Sequence, residues 1–144
     1  MIRRALLYGS LSAAAVAVWT LVELAIGFHG PRAEIGRWTG FISVVFPIAA
    51  VVLALRASRR DRGGLSWSVG MQEGIAVSVV SSVLGAVFFW LYFTVINPGF
   101  RAETVAPSPA AEAVTVLVSG LALGLIVSAI ASLLMRSPSS KPVA

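Results

Sequence analysis

The chain has no cysteine, one histidine and few charges, with Asp, Glu, Lys and Arg making up 12% of its 144 residues. A soluble domain carries about twice that share of charge, so a soluble enzyme, a disordered tail and a nucleic-acid-binding domain are poor readings. The lack of cysteine excludes a disulfide framework, a thiolate metal site and cysteine chemistry. A lone histidine, His29, cannot build a histidine metal cluster. The sequence offers no paired carboxylates, nucleophile–base pair, phosphate loop or metal-ligand spacing. We therefore expect no catalytic residue, no cofactor and no metal, and do not expect an enzyme.

What the chain has in excess is apolar surface: 58% of its residues are hydrophobic and the mean hydropathy is +0.91. A spanning helix needs about 20 largely apolar residues to cross a hydrocarbon core of about 30 Å. Four stretches qualify, at about 5–28, 36–55, 71–96 and 113–135. The expected fold is all-α, a single integral membrane domain over 1–144 built as a bundle of four transmembrane helices. Residues 56–70 would form a cytoplasmic loop, 29–35 and 97–112 outer loops, and 136–144 a flexible tail. Arg3-Arg4 followed by an alanine-rich run imitates a signal peptide. Signal cores are about 7–15 residues long, and this run is about 24, so a retained helix is expected.

Ten of the eleven basic residues are arginine, and they flank the apolar runs. Short cytoplasmic loops carry the Lys/Arg excess of a membrane protein. With the N-terminus inside, Arg3, Arg4, Arg56, Arg59, Arg60, Arg62, Arg136 and Lys141 are cytoplasmic, against Arg32, Arg37 and Arg101 outside. Both termini are then expected in the cytoplasm. Tyr8 and Trp67 would fall at the inner interface, and Trp38, Trp90 and Tyr92 at the outer one. Pro47 lies mid-span and frees the Ser43 carbonyl, so a kink is expected. Asn97-Pro98-Gly99-Phe100 reads as a type II turn, and Pro107 and Pro109 favour an extended return.

Several residues are candidates for function. Glu23 is the one ionisable group well inside a span, where such residues usually face the bundle. It is expected to hydrogen-bond a neighbouring helix, or to couple protons or cations. Gln72 and Glu73 read as the start of the third helix, where a carboxylate suits the dipole's positive end; a headgroup or partner contact is the alternative. Asn97 is a polar candidate at the outer end, and His29 reads as a solvated loop residue. Gly74, Ser78 and Ser82 in the third helix, and Gly120, Gly124 and Ser128 in the fourth, repeat at four-residue spacing. Such small-residue ladders pack helices closely in membranes, within the bundle or against another subunit. Arg56, Arg59, Arg60 and Arg62 read as a topology signal able to hold anionic headgroups.

The middle of the chain resembles a known family. An arginine-rich loop precedes Gly63-Gly64-Leu65-Ser66-Trp67 and a glycine-punctuated helix. Tyr92-Phe93-Thr94-Val95-Ile96-Asn97-Pro98-Gly99-Phe100 closes that helix. With Arg59–Asp61, Ser66-Trp67, Gly74 and Asn97-Pro98, this pattern resembles the domain-of-unknown-function 4199 family over about residues 50–103. The resemblance implies a bacterial four-helix protein of the inner membrane and supplies no activity or site residues. Two functions remain as expectations. The first is a structural or accessory subunit that binds lipids, a membrane-protein partner or further copies of itself. The second is a minimal proton- or cation-coupled transporter or channel, acting as a homo-oligomer, with Glu23 as coupling residue. No nucleic-acid partner is expected.

Overall fold

The computed structural model describes residues 1–100 and 108–137. Arg101, Pro107 and Lys141 lie outside the described residues. The chain is all-α, and among the described residues there is no strand. Helix α1 spans Ile2–Ala25, α2 Ala33–Thr39, α3 Val45–Arg62, α4 Trp67–Leu91 and α5 Pro109–Met135. A 3-10 segment, Gly40–Val44, joins α2 to α3, and a π turn, Tyr92–Ile96, extends α4. Four helical segments are long and apolar enough to cross a membrane: Ile2–Ala25, Ala33–Arg62, Trp67–Ile96 and Pro109–Met135.

The helix ends depart from the expected boundaries for local reasons. The first helix stops at Ala25 rather than 28. Gly27 takes φ +83°, and the Phe28 N–H bonds back to the Glu23 carbonyl at 2.8 Å. Helix α3 does not end at 55 but runs through all four arginines to Arg62. There Gly63, at φ +67°, supplies the left-handed residue that closes many helices. The expected loop 56–70 therefore shrinks to Gly63–Ser66. Helix α4 begins at Trp67, not 71, because the Ser66 hydroxyl caps it by accepting the Val69 N–H. Helix α5 begins at Pro109, not 113, behind Ser108, whose hydroxyl accepts the Ala111 N–H at 3.0 Å. Proline at the first helical position costs no internal hydrogen bond.

Pro47 lies at the middle of the helical segment Ala33–Arg62, where it leaves the Ser43 carbonyl without its usual partner. The perturbation becomes the 3-10 segment before it, where the Ser43 hydroxyl donates to the Gly40 carbonyl at 2.6 Å. Gly99 does not take a positive φ, so Asn97–Phe100 is not a type II turn. The tail begins tied down rather than free. The Ser137 N–H donates to the Leu65 carbonyl at 3.0 Å, and the Leu65 N–H to the Ser137 hydroxyl at 3.2 Å.

Helices α3 and α4 share the centre, with α1 on one side of them and α5 on the other. The core is made mostly of small side chains: Ala5, Ala50, Val51, Ala54, Leu55, Val77 and Ala131. Large apolar residues point outward along every span, including Leu11, Leu53, Val87, Ile126 and Leu134. That inversion of a soluble protein's pattern suits a helix bundle whose solvent is lipid. The bundle has two ends. One holds Arg4, the α3–α4 linker and Ser137, hence both described termini; the other holds residues 26–39 and 92–100.

Candidate functional site

The most extensive seam lies between α4 and α5. Running antiparallel, their small residues meet one for one: Gly70 on Ser132, Gly74 on Ser128, Ser78 on Gly124 and Ser82 on Gly120. A Cβ on any of these glycines would strike the facing serine side chain. Each serine fills the place a glycine leaves open. The buried hydroxyls of Ser78 and Ser128 donate to the Gly74 and Gly124 carbonyls of their own helices, at 2.9 and 2.5 Å. Gly9 of α1 meets Val77 and Val80 of α4 equally closely, and Ser81 donates to Ser12 at 2.9 Å beside it.

At the end bearing the termini, Glu73 has no exposed surface. Its carboxylate accepts from Arg4 Nε, and the Arg4 Nη1 donates to Asp61 at 2.7 Å. One guanidinium thus ties α1 to α3 and α4. The buried Ser58 hydroxyl lies beside the same carboxylate. Glu73 is therefore not a helix-start residue. Helix α4 begins six residues earlier, and Glu73 stands in its second turn facing inward. Gln72, next in the chain, is exposed. Arg4, read from sequence only as part of the topology signal, is the cation of a largely buried ion pair.

At the other end a polar chain crosses between elements. Glu23, buried near the end of α1, accepts from the Thr39 hydroxyl at 2.5 Å and lies 3.4 Å from His29 Nε2. His29 Nδ1 is 2.5 Å from the Tyr92 hydroxyl. The Asn97 amide donates to that hydroxyl at 3.2 Å and to the His29 carbonyl at 3.5 Å. Phe100 stacks on the His29 ring at 4.5 Å, and Phe93 on Phe100 at 6.3 Å. His29 is thus no solvated loop residue, and Tyr92, fully buried, is not an interface aromatic. Burial pushes the His29 imidazole below its ordinary value, and the Glu23 carboxylate opposes that only in part.

An amide NH2 only donates and a histidine nitrogen lacking its proton only accepts. With the ring proton on His29 Nε2, facing Glu23, the chain has one direction: Asn97 donates to Tyr92, and Tyr92 donates to His29 Nδ1. Residues 7–108 match the family described as protein of unknown function (DUF4199). The chain belongs to the DUF4199 family. No curated protein and no solved structure gives a significant match. In this DUF4199 chain the two polar clusters stand at opposite ends of α1. Arg4 and Glu23 are 19 residues apart, about 28 Å at 1.5 Å per residue, close to the thickness of a hydrocarbon core.

Of the residues singled out from sequence, Glu23 and Asn97 come together in one cluster, while Glu73 and Gln72 part company. The arginines at 56, 59, 60 and 62 are exposed on the last turns of α3 rather than in a loop. Thr39, His29, Tyr92 and Arg4 were not read as site residues. Of these, only Arg4 left a usable trace, through its partner: Glu73 adjoins Gly74 and lies one turn from Gly70, on the small-residue side of α4.

Proposed function

We propose that this is a structural or accessory multi-pass protein of the bacterial inner membrane, with both termini cytoplasmic and no catalytic activity. It presents apolar helix faces and a basic rim to lipids or to a membrane-protein partner. One observation carries this reading: among the described residues, both buried carboxylates are engaged by intramolecular partners. Glu73 is held by Arg4, and Glu23 by Thr39 and His29. Between these clusters the seam is closed by glycine–serine and valine packing. The excess of arginine at the end bearing the termini supports the cytoplasmic placement of that end.

The alternative, a proton- or cation-coupled carrier with Glu23 as coupling residue, makes a different demand. Its carboxylate must exchange ions between the two sides. The decisive experiment is flux. Purified protein in liposomes is given a pH gradient, with a pH-sensitive dye inside. The accessory reading expects leakage no faster than in empty liposomes, for both the wild type and Glu23→Gln. A proton or cation flux that vanishes in Glu23→Gln would overturn it.

A further inference from the structure

We infer that the groove between α1 and α3 is a binding site for one anionic phospholipid. Its headgroup would rest on Arg56 and Arg60, and an acyl chain would lie in the groove below. The inference deepens the accessory reading, on which it rests for the presence of a bilayer around the bundle.

Helix α3 carries the arginines as ordered turns, and Ala49, Leu53, Arg56 and Arg60 follow at steps of four, three and four residues. That spacing sets them along one side of a helix. It is the side away from Val51, Ala54, Leu55 and Ser58, which are buried. Among the described residues, the acids at this end are Asp61 and Glu73, and Arg4 engages both. Arg56 and Arg60 are exposed and have no acidic partner among the described residues. An anion from outside the chain would supply their counter-charge.

The groove is the independent observation. Tyr8, Leu11 and Ala15 of α1 and Phe46, Ala49 and Leu53 of α3 line a cleft of about 160 Å³. The cleft is apolar and opens sideways, where lipid would be. Leu53 is 48% exposed at its edge, one turn below Arg56. Arg56 itself sits six residues, about 9 Å, before the end of α3. An arginine at that depth keeps its stem in hydrocarbon and its guanidinium among phosphates. The pair of features therefore has the layout of a phospholipid: charge above, chain below. A water-soluble phosphate would use only the upper half.

The test uses the purified full chain in dodecyl maltoside, read by thermal midpoint and by lipid retained in native mass spectrometry. Phosphatidylglycerol should raise the midpoint and remain bound. Phosphatidylcholine and inorganic phosphate, at the same concentration, should do neither. Each arginine near a charged surface is worth about fivefold in affinity, so Arg56→Gln with Arg60→Gln should weaken binding on the order of twentyfold. Leu53→Trp, which fills the groove and keeps both arginines, should also weaken it. Arg3→Gln with Arg136→Gln removes the same charge elsewhere on this end and should change binding less than twofold. Equal binding of phosphatidylcholine, or an equal shift from phosphate, would overturn the inference. So would an equal loss in the Arg3/Arg136 variant, or full binding by Leu53→Trp. A proton flux in the liposome experiment would remove the accessory reading and leave this lipid result standing.

Discussion

Arg4 reaches two carboxylates on two different helices, and one of them has no access to solvent. Breaking a buried pair from one side leaves an uncompensated charge, at about 3–5 kcal/mol. Arg4→Gln should therefore lower stability by about 3 kcal/mol in detergent unfolding, the low end because Arg4 is partly exposed. Arg4→Leu with Glu73→Leu should recover most of that loss, since apolar replacement of both partners is often near neutral. Asp61→Asn, at a side chain 59% exposed, should cost under about 1 kcal/mol. His29 makes the corresponding argument at the other end. Its imidazole is held below its ordinary 6.5 by burial, so the folded chain takes up a proton later than the unfolded one. The stability His29 contributes is fully present above about pH 6.5 and is lost as pH falls through the lowered folded value. A proton on Nδ1 would also face the Tyr92 hydroxyl proton and reverse the donor chain. Wild-type unfolding midpoints measured from pH 7.5 down to pH 5 should fall, and His29→Gln should flatten that slope. A slope unchanged in His29→Gln would place the titrating group elsewhere.

The seam between α4 and α5 makes a sharper demand at the level of whole helices, because its glycines differ in what surrounds them. Gly124 and Gly120 face the Ser78 and Ser82 side chains so closely that even a methyl group collides. Gly85, on the α4 side, meets only Val116, at an ordinary 3.7 Å. Gly124→Ala should therefore destabilise by about 1–3 kcal/mol through overpacking, and Gly124→Leu by at least as much. Gly85→Ala should be neutral, or gain up to about 1 kcal/mol from helix propensity. Thermal melts of the three variants check this, with the half-buried Val127→Leu as a mild control. The ladder's four-residue spacing was legible in the sequence, as were four apolar helices, because hydropathy and repeat length are local properties. The Gly–Ser pairing across the seam was not, since it depends on the register of two helices whose paired residues lie 38 to 62 positions apart. His29 was unreadable for a related reason. Only the turn at Gly27 and the π turn after Leu91 bring it between Glu23 and Tyr92. The arginine run, expected in a loop, is helical because arginine is a good helix former and no breaker occurs before Gly63.

At the scale of the molecule, the two polar clusters bracket a band of small internal and large external apolar residues, as a lipid solvent requires. The arginines are unevenly divided between the two ends. Arg3, Arg4, Arg56, Arg59, Arg60, Arg62 and Arg136 crowd the end where α1 begins and α5 finishes, while Arg32 and Arg37 stand at the other. On the proposed function, that asymmetry would orient the chain with its arginine-rich end in the cytoplasm. The cysteine-free chain allows a direct test, and the structure chooses the positions. Ser58 is unsuitable because it is fully buried beside Glu73. Ser68, exposed just inside α4, reports on the arginine-rich end. Gly99, exposed with open space around it and no positive φ, reports on the opposite one. An impermeant thiol reagent applied to intact cells should label Gly99→Cys and spare Ser68→Cys until the membrane is opened. The reverse pattern would put the termini outside and detach the arginine belt from the cytoplasmic leaflet. Equal labelling of both would mean that the chain inserts in both orientations, which so strong a charge bias argues against.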